Sequence, residues 1–213
     1  MNNRIKTGLF IFIVLGSVMA SGQETIKITI LDTTRIPQGI KFEGKVKNAI
    51  QWIDLAGDNI LITTEAGPAI GKTVDDENYW NASLYAYHYI SKGGTIKQTW
   101  RVYDFIKECP LDIEAQFIDK TLQITDLNND GTAEVWLMYK TVCHGDVSPC
   151  DMKVIMYQGQ QKFAMRGQNK VQLSENEFYG GDYKFDAAFS AGPAAFREFA
   201  KKLWAANIMQ TWE

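Results

Sequence analysis

The sequence contains few of the residues on which the most easily recognised catalytic centres depend. It has only two histidines, His88 and His144. Neither lies in a nucleophile–base pattern such as G-x-S-x-G or S-x-x-K. Cys143 precedes His144, but neighbours on an extended chain point to opposite faces, so this dipeptide does not by itself form a dyad. No pair of acids identifies itself as the carboxylates of a glycosidase. We therefore assign no catalytic residues.

A second absence concerns positive charge. Lysine and arginine total 22 against 25 acidic residues, the formal net charge is −3, and no run of the chain concentrates the basic residues. A nucleic-acid-binding protein or a basic membrane-binding face is not expected from such a pattern. Proline- or serine-rich linkers are also absent, so residues 21–213 are predicted to form a single domain.

The long apolar run that the sequence does have lies at its beginning. Arg4 and Lys6 precede an apolar segment, Gly8 to Val18, and small residues at Val18-Met-Ala20 predict cleavage before Ser21. Residues 1–20 are thus predicted to be a signal peptide, and the protein to be exported. The run is shorter than the roughly 20 residues that span a bilayer, and no later stretch is long enough, so no membrane span is expected after cleavage.

Most of the remaining chain has the patterns of β-structure. Thr25 to Ile30 alternates apolar and polar residues, and Ile60 to Thr64 is a β-branched run after a Gly-Asp-Asn turn. Residues 79–105 predict a hairpin that turns at Gly93-Gly94. Gly67 to Thr73 resembles a phosphate-binding loop only superficially, and we interpret it as a surface loop.

The C-terminal segment differs, because aromatic and apolar residues recur there at helical spacing after Pro193. We predict one α-helix at residues 193–210 that packs on the sheet. The order of residues from Asp54 to Ile62 also resembles that from Asp126 onward, which indicates a degenerate repeat. The predicted fold is mainly β, with antiparallel sheets in a sandwich or partial-propeller-like arrangement.

An acidic loop between two predicted strands is the candidate metal site. Its oxygen ligands alternate as calcium ligands do, and Gly131 allows a sharp turn. An EF-hand is excluded because position twelve is Leu137. The loop resembles instead the D-x-N-x-D-G-x-x-E loop of FG-GAP and related propeller repeats, which implies bound calcium; a plain hairpin turn with solvated acids is the alternative. The predicted ligands are Asp126, Asn128, Asp130, the Thr132 carbonyl and Glu134.

Two further features suggest binding or stabilisation. Cys143 and Cys150 flank a short loop, and in an exported protein we predict a disulfide between them that contributes about 2 to 3 kcal/mol. Cys109 would then keep its thiol, although other pairings and a transition-metal site at this loop remain open. Tyr85, Tyr87 and Tyr89 share one face of a predicted strand, where they fit either interior packing or an exposed surface that stacks on carbohydrate.

A longer stretch carries a family resemblance. Residues 126–167, DLNNDGTAEVWLMYKTVCHGDVSPCDMKVIMYQGQQKFAMRG, and the tail GPAAFREFAKKLW resemble a family of small exported bacterial proteins linked to surface polysaccharide biosynthesis. The resemblance implies a place in the periplasm or at the cell surface of a Gram-negative bacterium, with polysaccharide or envelope assembly proteins as partners. We therefore expect a non-catalytic binding or structural module with a calcium-type loop; the alternative is a secreted hydrolase or transferase that acts on glycans.

Overall fold

The computed structural model describes residues 26–210, and the predicted signal peptide at 1–20 lies outside them. The described chain consists mainly of β-strands in antiparallel sheets, with a helix near its C-terminus. This confirms the predicted fold class. Among the described residues, no helix combines the length and the apolar character that crossing a bilayer requires.

Sheet 1 contains the first five strands, and each strand is hydrogen-bonded to the next one along the chain. The strands are β1 (Ile28–Ile30), β2 (Lys45–Asp54), β3 (Gly57–Val74), β4 (Glu77–Lys92) and β5 (Thr95–Cys109). Gly93 and Gly94 adopt positive φ and turn β4 into β5, which confirms the predicted hairpin. Gly67 to Thr73 belongs to β3, so its interpretation as a surface loop was wrong; it pairs with β4 through two register shifts.

Sheet 2 holds most of the second half of the chain. Its strands are β6 (Ile113–Phe117), β7 (Gln123–Thr125), β8 (Glu134–Cys143), β9 (Asp151–Gln158), β10 (Gln161–Gln168) and β13 (Tyr183–Phe185). The order across the sheet is β13-β10-β9-β8-β6, and β7 pairs with the beginning of β8. Strands β11 (Lys170–Ser174), β12 (Glu177–Gly180) and β14 (Met209–Gln210) form the small sheet 3.

The two large sheets pack face to face. Leu84 and Val102 of sheet 1 share an apolar cluster with Leu137 and Ile155 of sheet 2, and all four are buried. Because side chains alternate along a strand, the same strands also carry a second apolar face. In sheet 1 that face is covered by residues 31–42, which precede β2, and in sheet 2 it is covered by the helices.

Two helices close the outer face of sheet 2. Helix α1 (Ala187–Ala191) begins after Asp186, whose side chain accepts a hydrogen bond from the Phe189 N–H. Helix α2 (Ala194–Asn207) lies within the predicted range of 193–210 and buries Phe196 and Trp204 against the sheet. The chain then joins sheet 3 at β14, which explains why the helix is shorter than predicted.

Candidate functional site

The acidic loop joins β7 to β8 and is held by its own backbone amides. One Asp126 carboxylate oxygen accepts from the Asp130 N–H at 3.1 Å, and the other accepts from the Gly131 N–H at 2.9 Å. Asp130 in turn accepts from the Thr132 N–H at 2.8 Å. Gly131 has φ of +79°, a conformation that residues with a Cβ adopt only at a cost. These contacts give the loop one tight conformation.

Three oxygen atoms of the loop converge on a single point outside it. Gln158 Nε2 lies 2.9 Å from Asp130 Oδ2, 3.3 Å from Asn128 Oδ1 and 3.5 Å from the Thr132 carbonyl oxygen. Gln158 ends strand β9 and pairs directly with Glu134 on β8. The loop therefore directs a carboxylate, an amide and a carbonyl oxygen at one electropositive group, which is the ligand chemistry that hard cations also select.

Glu134 is completely buried and serves a different part of the loop. Its Oε2 accepts from Thr125 Oγ1 at 2.7 Å and from the Leu127 N–H at 2.9 Å. Its Oε1 is buried without a hydrogen-bond partner among the described residues. Burial raises the pKa of the Glu134 carboxyl, and the nearby charges of Asp126 and Asp130 raise it further.

The predicted calcium ligands are thus only partly brought together. Asn128, Asp130 and Thr132 converge, whereas Asp126 is engaged by amides within the loop and Glu134 bonds back to strand β7 and the start of the loop. No group of three or more His, Cys, Asp or Glu side chains suited to a metal occurs in residues 26–210. The convergent set contains one carboxylate, and sites with fewer charged ligands bind calcium more weakly.

The loop also joins the two sheets. The Leu55 N–H donates to the Gly131 carbonyl at 2.9 Å, and the Ala133 N–H donates to Asp54 Oδ2 at 3.1 Å. A Cβ at position 131 would lie 2.5 Å from the Leu55 side chain, so any other residue would displace Leu55 as well as adopt an unfavourable positive φ. The two stretches whose sequences resemble each other are therefore two turns in contact, one from each sheet.

The predicted Cys143–Cys150 disulfide is wrong. The bond joins Cys109, at the end of β5, to Cys143, at the end of β8, across a sequence separation of 34 residues. Cys150 keeps a buried thiol. Since Cys143 is consumed by the disulfide, the transition-metal alternative at this loop loses one of its ligands.

Strand register explains why the nearer cysteines do not pair. Thr141 on β8 lies opposite Asp151 on β9. Continuing this register places Cys150 opposite Val142, so alternation sends the Cys143 and Cys150 side chains to opposite faces. Sequence proximity across a hairpin loop therefore misled the prediction.

A cavity of about 550 Å³ lies beside Cys150, with Trp80, Glu114 and His144 in its wall. Cys150 Sγ is 3.8 Å from His144 Nε2, and His144 Nδ1 is 3.0 Å from the Asp146 carbonyl oxygen. Burial raises the pKa of the Cys150 thiol, and Glu114 adds to this effect while Lys140 opposes it. This shift disfavours the thiolate, which is the nucleophilic form of cysteine.

The tyrosine face is interior. Tyr85, Tyr87 and Tyr89 are 8%, 3% and 6% exposed, and the segment at 31–42 packs over them. The Tyr87 hydroxyl accepts from the Glu43 N–H, and the Tyr89 hydroxyl donates to the Lys41 carbonyl. An exposed stacking surface at these three residues is therefore ruled out, and the packing interpretation holds.

Sequence reasoning did not find Gln158 or Asp54, because both reach the acidic loop from strands that are distant along the chain. The resemblance between the two turns was the one signal that concerned Asp54. No protein-family model matches the chain, and comparisons with curated proteins and with solved structures gave no match.

Proposed function

We propose that this chain is an exported envelope protein that contributes to surface polysaccharide as a non-catalytic binding or structural module, and that its acidic loop holds calcium. The convergence of Asn128, Asp130 and Thr132 oxygens on one point carries the calcium part of the proposal. The family resemblance supports the envelope role. The Cys109–Cys143 disulfide supports export, since such bonds persist in oxidising compartments.

Gln158 supports the assignment of the cation position. Its amide nitrogen stands where a cation would meet the three converging oxygens, and rotation of the amide would present Oε1 to that cation instead. Asn128, Asp130, Thr132 and Gln158 would then hold the metal, with Asp126 and Glu134 adding negative charge beside it. Bound calcium would stiffen the contact between the sheets at Asp54 and Leu55.

The test is the thermal midpoint of the protein with calcium and with chelator. Calcium that binds only the folded state stabilises it by mass action. The wild-type midpoint therefore rises in calcium, and the free energy of unfolding increases by about 1 to 3 kcal/mol at saturating calcium. Asp130→Ala loses most of this rise. Asp182→Ala removes an acid outside the loop and retains the rise. An equal rise in wild type and Asp130→Ala, or no rise in wild type, overturns the calcium site.

The second candidate, a secreted hydrolase or transferase acting on glycans, is favoured by the cavity beside Cys150. This cavity is concave and contains Glu114 and His144, two groups able to transfer protons. In that case incubation with polysaccharide releases new reducing ends, and Glu114→Gln abolishes the release while Asp182→Ala does not. Without any release by wild type, the binding-module proposal stands.

A further inference from the structure

Three basic side chains from two neighbouring strands lie on one face of sheet 2. Lys153 on β9 lies directly opposite Arg166 on β10. Lys162 is on the same face as Arg166, because Phe163 and Met165 between them point to the helices. We call Lys153, Lys162 and Arg166 the β9–β10 cation cluster.

Two of the three cations in the cluster have no ion-pair partner among the described residues. Lys153 is paired with Asp104 of β5, and that carboxylate also accepts from the Tyr139 hydroxyl at 3.0 Å. The side chains of Lys162 and Arg166 make no ion pair or hydrogen bond with any described residue, and both are exposed. Like charges placed directly opposite each other on paired strands destabilise a sheet. Lys162 and Arg166 are therefore available to an anion from outside.

The electrostatics of Lys162 agree with this geometry. Partial desolvation lowers the pKa of its ammonium group, and the positive charges of Arg166 and Lys153 lower it further, while Asp104 and Asp186 oppose the change. An anion bound between these groups would relieve the repulsion. Arg166 offers a planar fork for a carboxylate, and Lys162 a compact charge.

The cluster borders the outer edge of β5, with which no described strand pairs. On the other face of this strand, Tyr103 and Phe105 are 42% and 43% exposed and stack at 4.9 Å between ring centroids. Arg101 and Lys107 lie over these two rings. Apolar ring surface next to cations suits a ligand that has both C–H surface and negative charge.

We propose that the β9–β10 cation cluster and the adjoining β5 edge bind an acidic polysaccharide, with its carboxylates at Lys162 and Arg166. This inference rests on the proposed function and names the ligand class. Addition of a peptide strand fits less well, because the pairing of β5 with β4 shifts register near both of its ends and the strand carries several basic residues.

The experiment measures binding of the purified protein to polygalacturonate, a carboxylated polysaccharide, and to neutral dextran, at low and high salt. Wild type binds polygalacturonate in preference to dextran, and salt weakens the binding. The double variant Lys162→Gln/Arg166→Gln binds polygalacturonate about tenfold more weakly, as expected for the loss of two charge contacts. The control Lys201→Gln/Lys202→Gln removes the same charge from exposed positions of helix α2 and changes binding less than about twofold.

The outcomes separate this inference from the proposed function. If the double variant binds polygalacturonate as wild type does, or if wild type binds dextran equally well, the cluster is not the site, although polysaccharide binding itself survives. If wild type binds polyglutamate or single-stranded DNA more tightly than polygalacturonate, the carbohydrate assignment is overturned. Absence of binding to any polysaccharide overturns both. Unchanged thermal midpoints in the two double variants show that each result reflects binding.

Discussion

Strand β8 begins at one connection between the two large sheets and ends at another, and the two connections are built differently. At its start, the acidic loop contacts the Asp54 turn through two hydrogen bonds. At its end, Cys143 is bonded covalently to Cys109 of sheet 1. The first connection depends on hydrogen bonds to a backbone carbonyl and to the Asp54 carboxylate and, as proposed, on calcium. The second depends only on the redox state, so solution conditions should affect the two ends of the sandwich unequally.

Removing the Cys109–Cys143 disulfide should have the largest effect on stability. Cys109→Ala/Cys143→Ala removes a cross-link over 34 residues of sequence, which in the chain-entropy model costs about 4 kcal/mol of unfolding free energy. Denaturant unfolding measures this loss, and reduction of the wild-type protein should reproduce most of it. Peptide mapping of the oxidised protein checks the pairing. A fragment that joins Cys143 to Cys150 would contradict the disulfide between the two large sheets.

The interior between the two connections should respond to acid. His88 is buried, stacks with Trp100 at 4.8 Å between ring centroids, and its Nδ1 contacts Thr99 Oγ1. Desolvation lowers the pKa of His88 from 6.5 to about 4, against the opposing charge of Asp54. The unfolded chain therefore takes up a proton at a higher pH than the folded chain. Stability should fall between pH 6.5 and about 4, by up to about 3 kcal/mol.

Comparison with His88→Phe isolates this effect, because phenylalanine keeps an aromatic ring in the stack and cannot be protonated. The unfolding free energy of wild type relative to that of the variant should decrease as the pH falls through this range, and level off below it. A constant difference from neutral pH to pH 4 would mean that the pKa of His88 is the same in the folded protein as in the unfolded chain, and so that burial does not lower it.

The hydrogen-bonded connection between the acidic loop and the Asp54 turn can be weakened without changing its shape. Asp54 Oδ1 accepts from the Ala56 N–H and from Asn59, and Oδ2 accepts from Trp52 Nε1 and from the Ala133 N–H. In Asp54→Asn, either orientation of the amide turns an NH₂ group toward two of these donors. We expect a loss of about 2 kcal/mol in thermal or denaturant unfolding. Asp58→Asn, in the same turn, provides the matched control, and an equal loss there would remove the special role of Asp54.

Local patterns in the sequence predicted much of this molecule. The β4–β5 hairpin follows from alternation and Gly93-Gly94, helix α2 from apolar spacing after Pro193, and the tight acidic loop from its Asx residues and Gly131. Each of these depends on residues that are close along the chain, so that the sequence itself holds the whole signal.

The features that sequence reasoning missed depend on which strands become neighbours. Cys109 meets Cys143 because the ends of β5 and β8 come together across the sandwich, and Lys153 meets Arg166 because of the register between β9 and β10. Composition showed no basic cluster, since the basic residues are dispersed along the chain. The burial of Tyr87 also depends on tertiary packing, because nothing in its own strand shows that residues 31–42 cover it.

The smallest effect is expected at Glu134. It should distinguish a role in the packing of β7 against β8 from a role as a negative charge beside the proposed cation. Its folded-state pKa is raised, so its ionised form opposes folding once the pH exceeds its ordinary value of 4.5. In chelator at neutral pH, Glu134→Gln should therefore stabilise the protein, by about 1 kcal/mol, while its carbonyl still accepts from Leu127 and Thr125. In calcium the gain should shrink or reverse, because a charge beside the cation has gone. Equal stabilisation with and without calcium would assign Glu134 to the packing of β7 against β8 alone, and would leave the Asp130 side of the loop as the only part that responds to the metal.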